Sequence, residues 1–142
     1  MDLIYRWDEL KAIQDRINEI GQRTDLLVEK FGGAFGPYRD EYNALWDERH
    51  RLEPSAEMMR QRTIPEPGMP CTVIYYSDRH AATIIAVRGA KKKEVDVKDS
   101  HGFVHTYTHR RNGHWVQKGT TSKDWGTLLG IGYQEEYFDR EF

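Results

Sequence analysis

The chain has 142 residues, enough for one domain or two small ones, with 31% charged and 38% hydrophobic residues and a net charge of −2. No stretch approaches the roughly 18 uninterrupted apolar residues that a membrane helix needs. The opening Met-Asp-Leu-Ile-Tyr-Arg-Trp-Asp has an acid where a secretory signal would carry bases, and the single cysteine, Cys71, allows no internal disulfide and builds no zinc site alone. A cytoplasmic protein is therefore expected, with no cofactor and no bound metal.

Apolar residues recur at Leu3, Trp7, Leu10, Ile13, Ile17, Ile20, Leu27 and Phe31, in steps that put most of them on one face of a helix. Asp2 is a suitable N-cap. Gly32-Gly33 and then Gly36-Pro37 end this helix. A second periodic run, Tyr38, Tyr42, Leu45, Trp46, Leu52, predicts another helix, shorter and interrupted at Arg49. The short break between them predicts an antiparallel helical hairpin over residues 1–62. Trp7, Leu10, Ile17, Ile20 and Leu27 form a near-heptad stripe that the second helix would leave partly bare. A homodimer through the N-terminal helices is the expected cover.

Residues 63–70 hold three of the five prolines and read as a linker. From residue 71 to 142 the period changes to two. Cys71–Tyr76, Ala82–Val87, Glu94–Lys98, Phe103–His109 and His114–Lys118 read as strands, with Gly130–Tyr133 as a short last one. Asn112-Gly113 is a strong hairpin turn. Short strands joined by tight turns predict a small SH3-like antiparallel β-barrel, and so an α+β protein overall.

Charge is divided unevenly. Residues 1–66 carry −4, residues 67–130 carry +5, and residues 131–142 carry −3. The basic part contains Lys91, Lys92, Lys93, Arg110 and Arg111, with Tyr75, Tyr76, Tyr107 and Trp115 in the neighbouring strands. Bases interleaved with aromatic faces on a small barrel are how oligonucleotide-binding sheets combine phosphate neutralisation with base stacking. The competing reading is that the aromatics are core and the lysines a solvated turn.

Catalytic patterns are weak. Ser77, Asp78 and His80 are the letters of a hydrolase triad, but adjacent letters do not make the separated geometry, and no G-x-S-x-G elbow is present. Walker A and dinucleotide fingerprints are also missing. Five of the six histidines lie between His80 and His114. His105 and His109 share a strand face, but about 13 Å of backbone separates them, too far to chelate one ion. No enzyme activity is expected.

Three segments carry a resemblance: Tyr75–Thr83 with Ile84-Ile-Ala-Val87 after it, Arg110–Val116, and Gly132–Phe142. The pattern S-D-R-x-x-x-T, then G-x-W, then Y-x-D-x-x-F resembles a family of small uncharacterised proteins encoded by tailed bacteriophages, over residues 67–142 only. The resemblance implies a phage context and no mechanism. Asp78 and Arg79 stand out in it as a polar pair in a turn that pins barrel geometry by hydrogen bonds. In that context the expected function is a non-enzymatic accessory protein that binds a host or defence-system protein, as anti-CRISPR and other anti-defence proteins do. A nucleic-acid-binding module and a virion or assembly component are the rivals.

Overall fold

The computed structural model describes residues 2–75, 78–119 and 127–137. Two helices, α1 (Trp7–Phe31) and α2 (Arg39–Arg62), precede six strands: β1 (Pro70–Tyr75), β2 (Asp78–Arg88), β3 (Glu94–Asp99), β4 (Val104–His109), β5 (Trp115–Gln117) and β6 (Leu128–Ile131). This is the expected α+β architecture of a helical hairpin followed by a small barrel. The expected positions Tyr76 and Ser77, and the chain after Tyr137, lie outside the described residues.

The strands form one closed antiparallel barrel in chain order, β6 pairing back onto β1 with Cys71 opposite Ile131 and Val73 opposite Leu129. Inward positions alternate along the strands, as the period of two requires. They are Cys71 and Val73, Ala82 and Ile84, Val95 and Val97, Tyr107, Trp115, and Leu129 and Ile131. In β2 the alternation breaks after Ile84, where the register on β3 shifts between Ile84 and Ala86. That bulge leaves Ile85 exposed and bends the longest strand around the barrel.

Two compact units are present: Met1–Trp7 with Arg60–Phe142, and Asp8–Met59. The stretch read as a linker belongs to the barrel unit. Met69 is part of the barrel core, Pro65 is buried, and Thr63 pairs with Tyr5 in a parallel bridge. Leu3 and Trp7 pack against the same core. Prolines here shape a segment fitted to the barrel; they do not make it a free joint.

In the hairpin unit, Arg16 donates to Glu48 at 2.8 Å and Arg23 to Glu41 at 2.6 Å. Gly32 lies midway between the partners of both pairs, so the helices run antiparallel about it. Gly32 itself ends α1 in the left-handed region, with φ 79°. Two expectations are corrected. First, α2 is scarcely the shorter helix: it runs through Pro54 to Arg62 and has 24 residues against 25 in α1. Second, the stripe is not left bare: Leu10, Ile17, Ile20 and Leu27 are buried within the single chain, and Trp7 belongs to the barrel unit. The longer α2 removes the reason for expecting a second copy as the cover.

Core substitutions separate these contributions. Trp115→Ala is expected to cost about 3–5 kcal/mol in a urea titration. Trp7→Ala, partly buried on the same core, should cost less, about 1–3 kcal/mol. The Tyr107 hydroxyl is buried without a hydrogen-bond partner among the described residues, so Tyr107→Phe should leave stability unchanged or raised.

Candidate functional site

The residues expected to read nucleic acid are not brought together. Tyr107 and Trp115 are in the barrel core and have no face free to stack on a base. Their strand positions are inward because aromatic side chains fill the barrel. Tyr75 is exposed, while Lys91 and Lys92 sit on the exposed turn after β2 and Lys93 is half-buried. Basic charge near them is largely answered. Arg88 pairs with Asp96 and Glu94, and Lys118 with Glu94 at 2.8 Å. The Asp96 and Glu94 bonds raise Arg88 above its ordinary value; Lys118 and then Arg88 hold Glu94 below its own, and Arg88 and then Thr106 hold Asp96 below its own. Arg110 belongs to the β4–β5 turn, its amide donating to the His114 carbonyl at 2.8 Å, and Arg111 is exposed beside it.

Asp78 and Arg79 fall inside β2, at its start, and not in a turn. Their role is visible in the backbone. Arg79 pairs with Ile74 of β1 on one side and with Tyr137 on the other, through two bonds of 2.8 Å. The segment after β6 thus returns to the barrel wall. Thr72 donates to the Tyr133 carbonyl at 2.8 Å, Glu135 N–H donates to Thr72 Oγ1 at 3.1 Å, and Gln134 reaches the Ala82 carbonyl at 2.8 Å. A Cβ on Gly130 would lie 2.3 Å from the Tyr133 hydroxyl, so only glycine lets this segment lie flat.

Glu136 closes the arrangement. Its carboxylate accepts from the Ala81 amide at 2.8 Å and from the Ser100 hydroxyl, and His80 Nδ1 lies 3.7 Å away. The His80 and His101 rings meet edge to face, 5.4 Å apart. The Ser100 bond and, after it, the Ala81 amide and the two imidazoles hold Glu136 below the usual carboxylate range against its burial. Ser100 donates to the acid and not to a histidine, which is not the order a nucleophile needs. Among the described residues no three His, Cys, Asp or Glu side chains are placed to hold one metal ion. The Cys71 thiol is pushed up to about 12 by burial, so it is no nucleophile.

The other two strand histidines flank Tyr107 on its inward side. His105 Nε2 lies 3.1 Å from Asp99, whose carboxylate also accepts from the His101 and Phe103 amides at 2.9 and 3.0 Å. His109 Nε2 donates to the Gln61 carbonyl at 2.7 Å and its ring packs 4.9 Å from Trp115.

A second surface lies in the hairpin unit, at the turn between the helices. Val28, Phe31, Phe35 and Tyr38 are exposed by 37–101%, Phe35 completely. Phe31 and Tyr38 hold each other edge to face at 4.8 Å. The turn leaves no room at Gly36, where a Cβ would fall 1.5 Å from the Phe31 carbonyl oxygen. Helical periodicity does not reveal this patch, because Phe35 belongs to neither helix. The available signal is a phenylalanine set in a Gly/Pro-rich break, where no core can cover it.

Acid titration should show two steps. Burial depresses His109, so the unfolded chain takes up that proton first, and stability falls as pH drops below about 6.5. Asp99 is pushed up by burial, but the Phe103 amide, the His105 ring and the His101 amide outweigh this and hold it low. Its contribution is present above about pH 3.9 and is lost as pH falls through the lower folded value. Urea midpoints across pH should lose the upper step in His109→Gln and show a smaller lower step in Asp99→Asn, a step to which Glu94, Asp96 and Glu136 also contribute. No family model matches the chain, and neither does any curated protein or solved structure.

Proposed function

We propose that the protein is a non-enzymatic accessory protein that acts by binding another protein, and that the hairpin tip is the part that binds. In the tailed-phage context that the resemblance implies, the partner is a host or defence-system protein. The carrying observation is the exposed cluster of Val28, Phe31, Phe35 and Tyr38. Contiguous exposed aromatic surface is unfavourable in water and is characteristic of the anchors that fill a partner's pocket. Charges beside the tip cancel: Glu29 with Lys30 in sequence, and Arg39 with Asp40 at 3.9 Å. A neutral apolar knob suits an apolar pocket in a protein and gives a polyanion nothing to neutralise.

Among the described residues of 67–130, the nucleic-acid reading keeps Lys91, Lys92, Lys98 and Arg111 as exposed bases outside the Arg88–Lys118 network, without Tyr107 or Trp115 to stack on. The homodimer reading loses its stripe to burial, and a virion or assembly role would need the same tip to meet a structural protein.

Purification of tagged protein from infected cells tests the proposal. The wild type should retain a specific host or defence-system protein. Phe35→Asp, with unchanged circular dichroism, should bind that protein at least about tenfold more weakly. Equal retention by the variant, or salt-sensitive binding of the wild type to a 20-mer oligonucleotide in place of any protein, would sink the reading.

A further inference from the structure

β2 is longer than the strand beside it. Its residues 82–88 pair with β3, which ends at Asp99 opposite Ala82. Residues 78–81 therefore have β1 on one side and, on the other, no partner among the six strands. Unpaired backbone amides along such an edge are a template for an added strand. The chain fills this edge with its own Glu136-Tyr137. Tyr137 makes the two backbone bonds to Arg79, and the Glu136 side chain takes the Ala81 amide.

The pocket receiving Glu136 comes from distant parts of the chain. Ala81 supplies an amide and Ser100 a hydroxyl, with the His80 and His101 imidazoles packed beside them. Glu136 and Tyr137 are both exposed, and Tyr137 is 56% exposed. The preceding residues, Tyr133 to Glu135, are anchored separately at Thr72, Ala82 and Gly130. Release of Glu136 and Tyr137 does not require those anchors to break.

We infer that the Arg79–Ala81 edge with Ser100 is a binding site for an extended peptide segment carrying a glutamate followed by an aromatic residue, and that Glu136-Tyr137 is an internal occupant competing for it. The edge supplies main-chain pairing, and the Ser100–Ala81 pocket selects the acidic side chain. A partner segment of this kind replaces the chain's own residues bond for bond. This site belongs to the barrel and does not depend on the hairpin tip being a contact surface.

The probe is a fluorescein-labelled peptide Gln-Glu-Glu-Tyr-Phe, titrated into the full chain and followed by anisotropy. Glu136→Gln weakens the internal occupant, so this variant should bind the peptide at least tenfold more tightly than the wild type. Changing the peptide's second glutamate to glutamine should remove the gain, and so should Ser100→Ala combined with Glu136→Gln. Amide exchange at Arg79, whose N–H bonds the Tyr137 carbonyl, should quicken in Glu136→Gln and slow again with peptide. Tyr137→Pro, which deletes the amide that bonds the Arg79 carbonyl, is a second opening variant if the first folds poorly. Equal peptide affinity in wild type and both variants, indifference to the peptide's carboxylate, or a doubled mass showing exchange of segments between copies would overturn the inference.

Discussion

Pairing of β6 with β1 is the contact on which the barrel unit depends. Before it forms, the meander from β1 to β6 is an open sheet with two unpaired edges and one face of apolar side chains against water. The closing strands are short: β5 has three residues and β6 four. Closure therefore cannot rest on ladder bonds alone. It draws on Trp115, Leu129 and Ile131 entering the same core as Cys71 and Val73, and on a bond from the Gly132 amide to the Pro70 carbonyl at 2.8 Å. The same closure sends the chain across the outside of β1, where Thr72 is fully buried beneath it. A polar side chain is tolerable there because it both donates and accepts, to Tyr133 and from Glu135.

How far the fold was legible follows from which interactions are local. The α1 stripe and the alternation of Glu94–Lys98 are properties of neighbouring residues, and both elements appear where periodicity puts them. Asn112-Gly113 carries its own turn geometry, and Gly113 has φ 88°. Three features depend on tertiary partners instead. Asp78-Arg79-His80 looks like a turn because it is polar, yet it is strand, held between β1 and Tyr137. The second apolar run fades after Leu52, yet α2 continues through Pro54 to Arg62. The prolines of 63–70 look like a joint, yet Met69 is core.

The candidate sites were less legible for the same reason. Tyr107 and Trp115 carry identical chemistry whether they face solvent or core, and only the direction of their strands decides. Alternation points Tyr107 the same way as His105 and His109, so counting bases and aromatics together suggests a stacking surface, while the barrel turns Tyr107 and Trp115 inward. Ser100, Glu136 and His80 are far apart in sequence and meet only because β3, β2 and the chain after β6 converge at one corner. No spacing rule connects them. Phe35 is the reverse case: its exposure is local, written in the glycines around it, but periodicity assigns it to no face.

These observations divide the molecule's polar chemistry from its exposed apolar surface. In the barrel unit the charged groups beside the lysine turn are mutually satisfied, with Arg88, Glu94, Asp96 and Lys118 in one network. A network of this kind on an exposed sheet fixes geometry more than it adds stability, since each pair is screened by water. It also lowers the field available to attract a polyanion from a distance. The hairpin unit spends its charges similarly, Arg16 and Arg23 on Glu48 and Glu41, and leaves aromatic rings bare at the turn. Solvent-exposed aromatic side chains gain most from desolvation, and ion pairs already formed gain least. The bare rings at the hairpin turn thus stand apart from the paired charges, and the backbone edge of β2 at Arg79 is covered by the chain's own Tyr137.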